Sequence, residues 1–218
     1  TPSFYNDCVK LKVKGNRVLL EKIGWVKTNE PLPVDCKYYN PRIKFDGKYW
    51  YLTVGIEVET EKSVLDGRIV GVDVGIRELA VTSDGVFYEN INKTASVRKV
   101  EKRLKRLQRR ASKKYKKGTL KSKHLLKLEG KIRKHHRRLV NIRTNHVHQA
   151  TAEIVKSKPF RIVMETLNIR GMMKDKHLAK AVANQKLYFF KQCLQYKCEL
   201  HGIEFVEADQ WFPSSKLC

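Results

Sequence analysis

The run IVGVDVGI, residues 69–76, decides the fold, because it is a short, dense series of aliphatic and β-branched residues of the kind that forms a buried sheet strand. One carboxylate, Asp73, interrupts it. A second run of the same kind, RIVMETLN at residues 161–168, carries Glu165. An ionised carboxylate inside a buried strand costs free energy unless a positive charge compensates it. Since each acid stands late in its strand, the two runs predict one shared cation site.

The order of elements around these strands predicts an α/β domain at residues 63–218. A three-strand meander, two helices, the strand of Glu165, a polar loop, a helix at residues 183–201 and a last strand follow one another. Parallel neighbours joined by helical crossovers form a mixed sheet with helices on its faces. This order is that of the ribonuclease H-like fold, in which Asp73 and Glu165 would reach the same end of the sheet.

Residues 1–62 predict a separate, small β-rich module that precedes this domain. Lysines alternate with apolar residues at positions 9–13, and Asp46-Gly47 between two further apolar runs is a strong hairpin signal. The alternating lysines give the module one solvent-exposed, positive face. Two interpretations of that face stay open: the solvated side of an ordinary half-buried sheet, or a nucleic-acid-binding surface.

The net charge of +24 is concentrated in one segment. Residues 98–143 hold 21 Lys or Arg against two acids, Glu101 and Glu129, and so carry +19, which leaves +5 for the rest of the chain. A segment of one sign binds nucleic acid or an anionic membrane. A membrane-surface helix would set bulky aromatics opposite its lysines, whereas the apolar stripe here is thin and aliphatic. Nucleic acid is therefore the favoured partner, and no apolar run is long enough to cross a bilayer.

The same segment has helical periodicity and predicts a basic helical hairpin at residues 95–156. Leu104 and Leu107 belong to one apolar stripe, Gly118 lies in the break, and Leu128 belongs to a second stripe. Because each stripe is narrow, the two helices can pack as an antiparallel pair with cations over the remaining faces. The candidate nucleic-acid-binding residues are Arg103, Arg106, Arg109, Arg110, Lys113, Lys114, Lys131, Arg133, Lys134, Arg137 and Arg138.

The five cysteines are odd in number and scattered, which favours a reducing compartment over a disulfide framework. We therefore expect a cytoplasmic protein, nucleoid-associated in a bacterium or archaeon. Cys193 and Cys198 are five residues apart on a predicted helix, do not share a face well, and are expected to be core or half-buried thiols. The hairpin histidines have no metal-ligand spacing either and are expected to contact phosphate or solvent: His135, His136, His146 and His148. No Walker loop, Ser-His-Asp order or dinucleotide fingerprint occurs.

Two carboxylates at one edge of a sheet suit metal-dependent phosphodiester hydrolysis. Two ions about 3.5–4 Å apart generate the attacking hydroxide and stabilise the leaving oxygen, and Mg²⁺ (or Mn²⁺) takes hard oxygen ligands. Asp73 and Glu165 are the candidate catalytic residues and metal ligands. A simpler explanation is that Asp73 only shapes the turn after its strand while Glu165 caps the next element. Asp209, after the last strand, is expected to be structural, so a third acid is not identified.

Four stretches resemble the TnpB (OrfB transposase-like) family of insertion sequences. GVDVGIRELA at residues 71–80 is similar to the first RuvC motif of that family, and ETLNIRGM at residues 165–172 is similar to the second. WFPSSKLC at residues 211–218 resembles the approach to its zinc ribbon, with Cys218 in the place of the first zinc ligand. IGWVK at residues 23–27 resembles its wedge-like β domain.

The resemblance implies an RNA-guided DNA endonuclease of transposon origin, related to the compact type V CRISPR effectors. Asp73 and Glu165 would be its first two catalytic acids and would hold Mg²⁺. DNA and guide RNA would be its partners, with the basic hairpin along the guide–target duplex, whose sequence is read by base pairing. The family continues past Cys218 into further zinc-binding cysteines and a third RuvC motif. We therefore expect this chain to be a fragment, with Zn²⁺ bound only in a longer parent.

Three functions stay open at this stage. The intact parent is expected to be a metal-dependent nuclease, because two strand carboxylates are present. The 218-residue chain itself is expected to bind nucleic acid without efficient cleavage, because the third acid is missing. A transposase that transfers strands on the same fold would use the same acids, since the metal chemistry is shared.

Overall fold

The structure is a computed structural model, and it describes residues 3–58 and 63–209. The chain forms two compact units, Thr1–Glu59 and Thr60–Cys218. The residues around 211–218 that resemble a zinc-ribbon approach, including Cys218, lie outside the described residues.

The first unit is built from two three-stranded antiparallel sheets. Its strands are β1 (Ser3–Tyr5), β2 (Lys12–Lys14), β3 (Arg17–Leu20), β4 (Gly24–Lys27), β5 (Tyr39–Phe45) and β6 (Trp50–Gly55). The sheet orders are β1-β5-β6 and β2-β3-β4. A small core of Leu11, Val18, Leu20 and Ile43 holds the unit together.

The hairpin signal at Asp46-Gly47 is confirmed. The carboxylate of Asp46 accepts hydrogen bonds from the backbone N–H groups of Lys48 and Tyr49, both at 2.8 Å. Gly47 has a φ of +95°, a backbone conformation that favours glycine. The run at 9–13 becomes a strand only from Lys12 onward.

The second unit contains a five-stranded mixed sheet in the order β11-β10-β7-β8-β9. Its strands are β7 (Asp66–Val74), β8 (Ala80–Thr82), β9 (Phe87–Tyr88), β10 (Pro159–Glu165) and β11 (Glu204–Ala208). The strand β10 lies at the centre of the parallel part, paired with β7 on one side and β11 on the other, while β7, β8 and β9 form the antiparallel meander.

Five α-helices belong to this unit within the described residues. They are α1 (Ala95–Lys114), α2 (Lys123–Lys156), α3 (Ile169–Lys174), α4 (Ala179–Gln185) and α5 (Leu187–His201). Hydroxyl side chains cap both helices of the hairpin: Thr94 accepts from the N–H of Val97 and Ser122 accepts from the N–H of Leu125. None of these helices combines the length and the apolar composition that a membrane crossing needs.

Two of the predicted elements differ from the structure. The single helix expected at residues 183–201 is broken at Lys186, which adopts a left-handed φ of +58° between α4 and α5. The loop expected after Glu165 contains the short helix α3, because the side chain of Asn168 accepts a hydrogen bond from the N–H of Gly171 and caps its first turn.

The described helices cover one face of the sheet, not both. Val70, Val72 and Val74 of β7 point into a core with helical residues such as Phe190 and Leu194. The alternate residues of β7 are more exposed, and Ile69 is 56% exposed. The strands were expected to be buried and the sheet to carry helices on its faces, whereas one face of the sheet is open within the described part of the chain.

Candidate active site and nucleic-acid interface

Asp73 and Glu165 occupy adjacent positions on neighbouring parallel strands. The register of β7 and β10 pairs Gly71 with Val163 and Val72 with Met164. The next residue on each strand is one of the two acids. Adjacent strands lie about 4.8 Å apart, so the two carboxylates start from neighbouring points of the backbone.

Both carboxylates point to the open face of the sheet. Side chains alternate along a strand, and the flanking residues Val72, Val74 and Met164 are buried in the core, whereas Asp73 and Glu165 are exposed. They line a shallow cleft whose other described wall residues come from β7, β8 and the end of β11: Gly71, Val72, Val81, Thr82, Ser83, Ala208 and Asp209. The strands β7 and β10 therefore present the two acids to one space.

The structure supports neither of the simpler roles considered for these acids. The cap of α3 is Asn168, not Glu165. Asp73 makes no hydrogen bond with the turn that follows it, and neither carboxylate forms a hydrogen bond or ion pair with any residue in the described ranges. By contrast, Glu204, four residues before Ala208 on the neighbouring strand, is paired with Arg161 at 2.8 Å.

A cation at this site was expected because the two carboxylates were predicted to be buried, and that reason does not hold. Burial does not penalise Asp73 and Glu165, because both are exposed. What remains is the repulsion between two like charges at neighbouring positions, with no described cation paired to either. A bound cation would remove that repulsion.

Asp209 lines the same cleft, although the sequence analysis expected it to be structural. Within residues 3–58 and 63–209, no three His, Cys, Asp or Glu side chains are grouped closely enough to hold a metal ion together. The geometry thus provides a pair of carboxylates with a third acid at the rim of the cleft.

A polar network, which the sequence analysis missed, holds the turn that follows Asp73. The amide of Gln185, which is 3% exposed, donates hydrogen bonds to the carbonyl oxygens of Gly75 and Glu78 at 3.1 and 3.3 Å. The side-chain oxygen Oε1 of Gln185 accepts a hydrogen bond from Nδ2 of Asn92 at 3.1 Å. These partners are far apart in the sequence, and no local pattern marks them.

The same network continues into the helical hairpin. Arg143 of α2 donates from Nε to Oδ1 of Asn92 and from Nη2 to Oε1 of Glu101 of α1, both at 2.7 Å. The arginine side chain is only 13% exposed. The network therefore joins the turn after Asp73 to the base of both hairpin helices.

The predicted basic hairpin contains a groove between its helices. Leu104 and Leu139 belong to the apolar seam. Beside this seam, α1 and α2 enclose a groove of about 580 Å³. Six of the eleven predicted nucleic-acid-binding residues line it: Arg103, Arg106, Arg109, Arg110, Lys131 and Lys134. The remaining five lie on the same two helices but are not among the residues that line the groove: Lys113, Lys114, Arg133, Arg137 and Arg138.

The charge of this groove is not neutralised by the acids of the basic segment. Glu101 is paired with Arg143, and Glu129 is paired with Lys121 at 2.7 Å. The described residues that line the groove include no acidic side chain. Its cations are therefore available for an anionic partner.

Two of the hairpin histidines have a pKa below the usual value. Burial lowers the pKa of His135, and the nearby Arg103 and Arg138 lower it further. Burial also lowers the pKa of His148, with Lys197 and Lys186 as additional causes. Both imidazoles are therefore neutral at neutral pH.

The cysteines of α5 are core residues, as expected. Cys193 and Cys198 are 1% and 0% exposed, and burial raises the pKa of the Cys198 thiol to about 12. The sulfur of Cys193 lies 3.8 Å from Nδ1 of His148. The four described cysteines are free thiols.

Both sheets of the first unit carry exposed cationic side chains, and the β1-β5-β6 sheet adds an exposed aromatic ring. The guanidinium of Arg42 lies 5.0 Å from the centre of the Tyr5 ring. Lys14, Arg17 and Lys27 occupy laterally paired positions on β2, β3 and β4, on the face opposite Val18. One face of the β2-β3-β4 sheet therefore carries a row of three cations.

These residues form a mixed α/β unit with two exposed strand carboxylates and a basic helical hairpin. Comparisons with known proteins place the chain in a family. Residues 53–176 match the OrfB_IS605 family, described as "Probable transposase". This match covers more than half of the chain, and the chain belongs to that family.

Two relatives have names that state an activity. A protein of Streptomyces pristinaespiralis named "Putative RNA-guided DNA endonuclease" is 29% identical over 194 residues, which are 88% of this chain and 46% of the relative. "Putative RNA-guided DNA endonuclease InsQ" of Escherichia coli (strain K12) is 32% identical over 172 residues, 78% of this chain and 41% of the relative. The chain thus spans less than half the length of these relatives.

A solved structure shares the fold. It is described as "Cryo-EM structure of the Cas12f1-sgRNA-target DNA complex", and its matching chain has a TM-score of 0.50 and 19% identity, with 80% of this chain and 36% of that chain covered. The mixed α/β fold with several sheets is therefore shared with a chain of that complex.

Proposed function

We propose that this chain is the nuclease-bearing part of an RNA-guided DNA endonuclease of transposon origin, which cleaves DNA with divalent metal ions. The observation that carries the proposal is the placement of Asp73 and Glu165 at adjacent positions on the open face, with no described cation paired to either. Membership of the family and the names of the relatives support it.

The chemistry of the cleft fits a hard divalent cation. Carboxylate oxygens are the ligands that Mg²⁺ and Mn²⁺ prefer, and both ions keep part of their water. Bound there, such ions would supply the attacking hydroxide and stabilise the leaving oxygen. Asp73 and Glu165 would hold the ions against the open face of the sheet. The exposed cleft would leave room for a phosphodiester on the solvent side of the ions.

We extend the proposal to the domains. Residues 63–218 would form a ribonuclease H-like (RuvC) domain, which is supported by the antiparallel meander β7–β9 followed by parallel strands β10 and β11. Residues 1–62 would form a wedge-like module. The exposed aromatic and cationic side chains of the first unit suit contacts with bases and phosphates.

The proposed partners are DNA and a guide RNA. The groove of the hairpin offers six unneutralised cations to a phosphate backbone, and the guide would supply sequence recognition by pairing. The free thiols are consistent with a reducing cytoplasm, where we place the protein.

The proposal is tested with Asp73→Asn and Glu165→Gln in the protein as its gene encodes it. Each variant should abolish Mg²⁺-dependent cleavage of a DNA target that matches the co-purified RNA, while the affinity for nucleic acid stays within about twofold, because neither acid contacts the hairpin groove. Glu204→Gln is the matched control, since Glu204 is a strand acid already paired with Arg161. Retained cleavage in Asp73→Asn would refute the assignment.

A second candidate is a nucleic-acid-binding protein without cleavage. It is favoured by the absence of a three-ligand metal group in the described residues, together with the basic groove. Wild-type protein that binds RNA and DNA but yields no cut product in Mg²⁺ or Mn²⁺ would establish this candidate. Joined strands in place of a free 5′ or 3′ end would instead indicate strand transfer.

A further inference from the structure

The groove between α1 and α2 contains a titratable side chain among fixed positive charges. Arg103, Arg106 and Arg110 face it from α1, and Lys131, Lys134 and His135 face it from α2. The three arginines are spaced i, i+3, i+7 on α1, and the three residues of α2 are spaced i, i+3, i+4. Each set therefore lies along one side of its helix. His135 is half-buried, whereas the six groove cations are exposed.

The groove has the dimensions of a short stretch of nucleic-acid backbone. Seven residues separate Arg103 from Arg110, which is about 10 Å along a helix. One strand of a duplex presents a phosphate about every 3.4 Å along its axis. Two or three consecutive phosphates can therefore lie between the cations of the two helices.

We propose that this groove binds the phosphodiester backbone of a nucleic acid and that His135 takes up a proton when the backbone binds. The inference rests on the proposed function and deepens it, because it makes the affinity for the duplex depend on pH. The proton comes from solvent and stays on the imidazole, whose second N–H then becomes a donor to a phosphate oxygen.

The charges around His135 explain why the proton arrives only with the ligand. Every charged group that faces it from the two helices is positive: Arg103, Arg106, Arg109 and Arg110 on α1, and Lys131, Lys134 and Arg138 on α2. In the free protein, burial and these cations keep the imidazole neutral. A phosphate placed among them reverses the sign of the local potential and favours the imidazolium.

The linkage has a definite sign. Because the bound state has the higher histidine pKa, affinity is lowest at high pH, rises as the pH falls through the pKa of the complex, and levels off below the pKa of the free protein. The total gain is about tenfold if the phosphate raises the pKa of His135 by one. Arginine and lysine stay charged over this range and contribute no such change.

The chain offers a matched control one residue away. His136 is exposed, is not among the residues that line the groove, and lies 3.4 Å from Nε2 of Gln108 through its own Nε2. His136→Gln should therefore keep the proton uptake that His135→Gln loses. His124 and His146 are present in all three proteins and cancel in the comparison.

The experiment measures protons directly with the 218-residue chain. A labelled RNA–DNA hybrid, a DNA duplex and a single-stranded RNA are titrated by calorimetry near pH 6.5 in two buffers of different ionisation enthalpy, at constant ionic strength. Wild type and His136→Gln should take up a fraction of a proton per complex, and His135→Gln should take up measurably less. An NMR titration of the His135 ring in wild-type protein, free and bound, should show the pKa rise and does not depend on the variant folding.

Several outcomes would overturn the inference. Binding with no proton uptake in wild type, equal uptake in His135→Gln, or loss of uptake in His136→Gln would each do so. Equal affinity for vesicles of anionic phospholipid would assign the groove to a membrane. Failure of all three nucleic acids to bind would instead contradict the proposed function, so the two failures are distinguishable.

Discussion

The side-chain amide of Gln185 donates a hydrogen bond to the carbonyl oxygen of Gly75, two residues after Asp73, at 3.1 Å. A second bond reaches Glu78, and Asn92 donates to the same side chain. The buried glutamine thus fixes the turn that follows the first acid, and through Asn92 it connects this turn to the helical hairpin.

Gln185→Ala should therefore destabilise the second unit and disorder the turn after Asp73. Removing a buried side chain that serves three polar groups leaves those groups unsatisfied, at a cost of about 1–3 kcal/mol. Denaturant unfolding measures this loss. Asn184→Ala is the neighbouring control, because only the backbone oxygen of Asn184 takes part in the network, and an equal loss in both variants would contradict the role of Gln185.

The basic groove predicts how affinity responds to salt. Arg106→Gln should reduce the slope of log affinity against log salt by about one, since one phosphate contact is lost. Lys105→Gln is the control, because Lys105 is exposed on the same helix but does not line the groove. Binding assays at several salt concentrations give both slopes, and identical slopes for the two variants would argue against the groove as the contact surface.

Two glycines of the helices should respond differently to alanine. A Cβ on Gly130 in α2 meets no atom within 4 Å, so Gly130→Ala should stabilise the protein by about 0.5–1 kcal/mol. A Cβ on Gly171 would stand 2.7 Å from Nδ2 of Asn168 and displace the cap of α3. Gly171→Ala should therefore lack that gain, because a lost cap costs about 1 kcal/mol. Thermal unfolding compares them, and equal stabilisation would show that Asn168 does not cap α3.

The cysteines should differ in reactivity. Burial raises the pKa of Cys198 to about 12, so its thiol stays protonated in the folded protein, whereas Cys8 is exposed. Alkylation near pH 8, followed by mass spectrometry, should modify Cys8 and spare Cys198 until denaturant is added. The Cys198 thiol has a lower pKa in the unfolded chain than in the folded protein. The free energy of unfolding therefore falls as the pH rises above about 9. Rapid native alkylation of Cys198 would contradict its burial.

The sequence predicted the parts of this structure that depend on local periodicity. The hairpin helices lie between Ala95 and Lys156, as predicted, because an apolar stripe at helical spacing is a local signal. The open face was not predicted, because the aliphatic density of residues 69–74 indicated a buried strand. Gly71 and Asp73 alternate with Val70 and Val72, and this two-residue period was the signal of a strand covered on one side.

The network around Gln185 could not be predicted in the same way. Asn92 and Gln185 are separated by 93 positions and meet only because α4 ends beside the turn after β7. The placement of Asp73 beside Glu165 depended on a parallel pairing that the order of elements indicated. Their catalytic role stays a prediction.

The most direct test of that role is diffraction from crystals soaked in Mn²⁺, with data collected for anomalous scattering. The account predicts a peak in the cleft between β7 and β10, within coordination distance of a carboxylate oxygen of Asp73 and of one of Glu165, and its loss in Asp73→Asn. Mn²⁺ bound only elsewhere, or a peak in the cleft that survives the substitution, would contradict it.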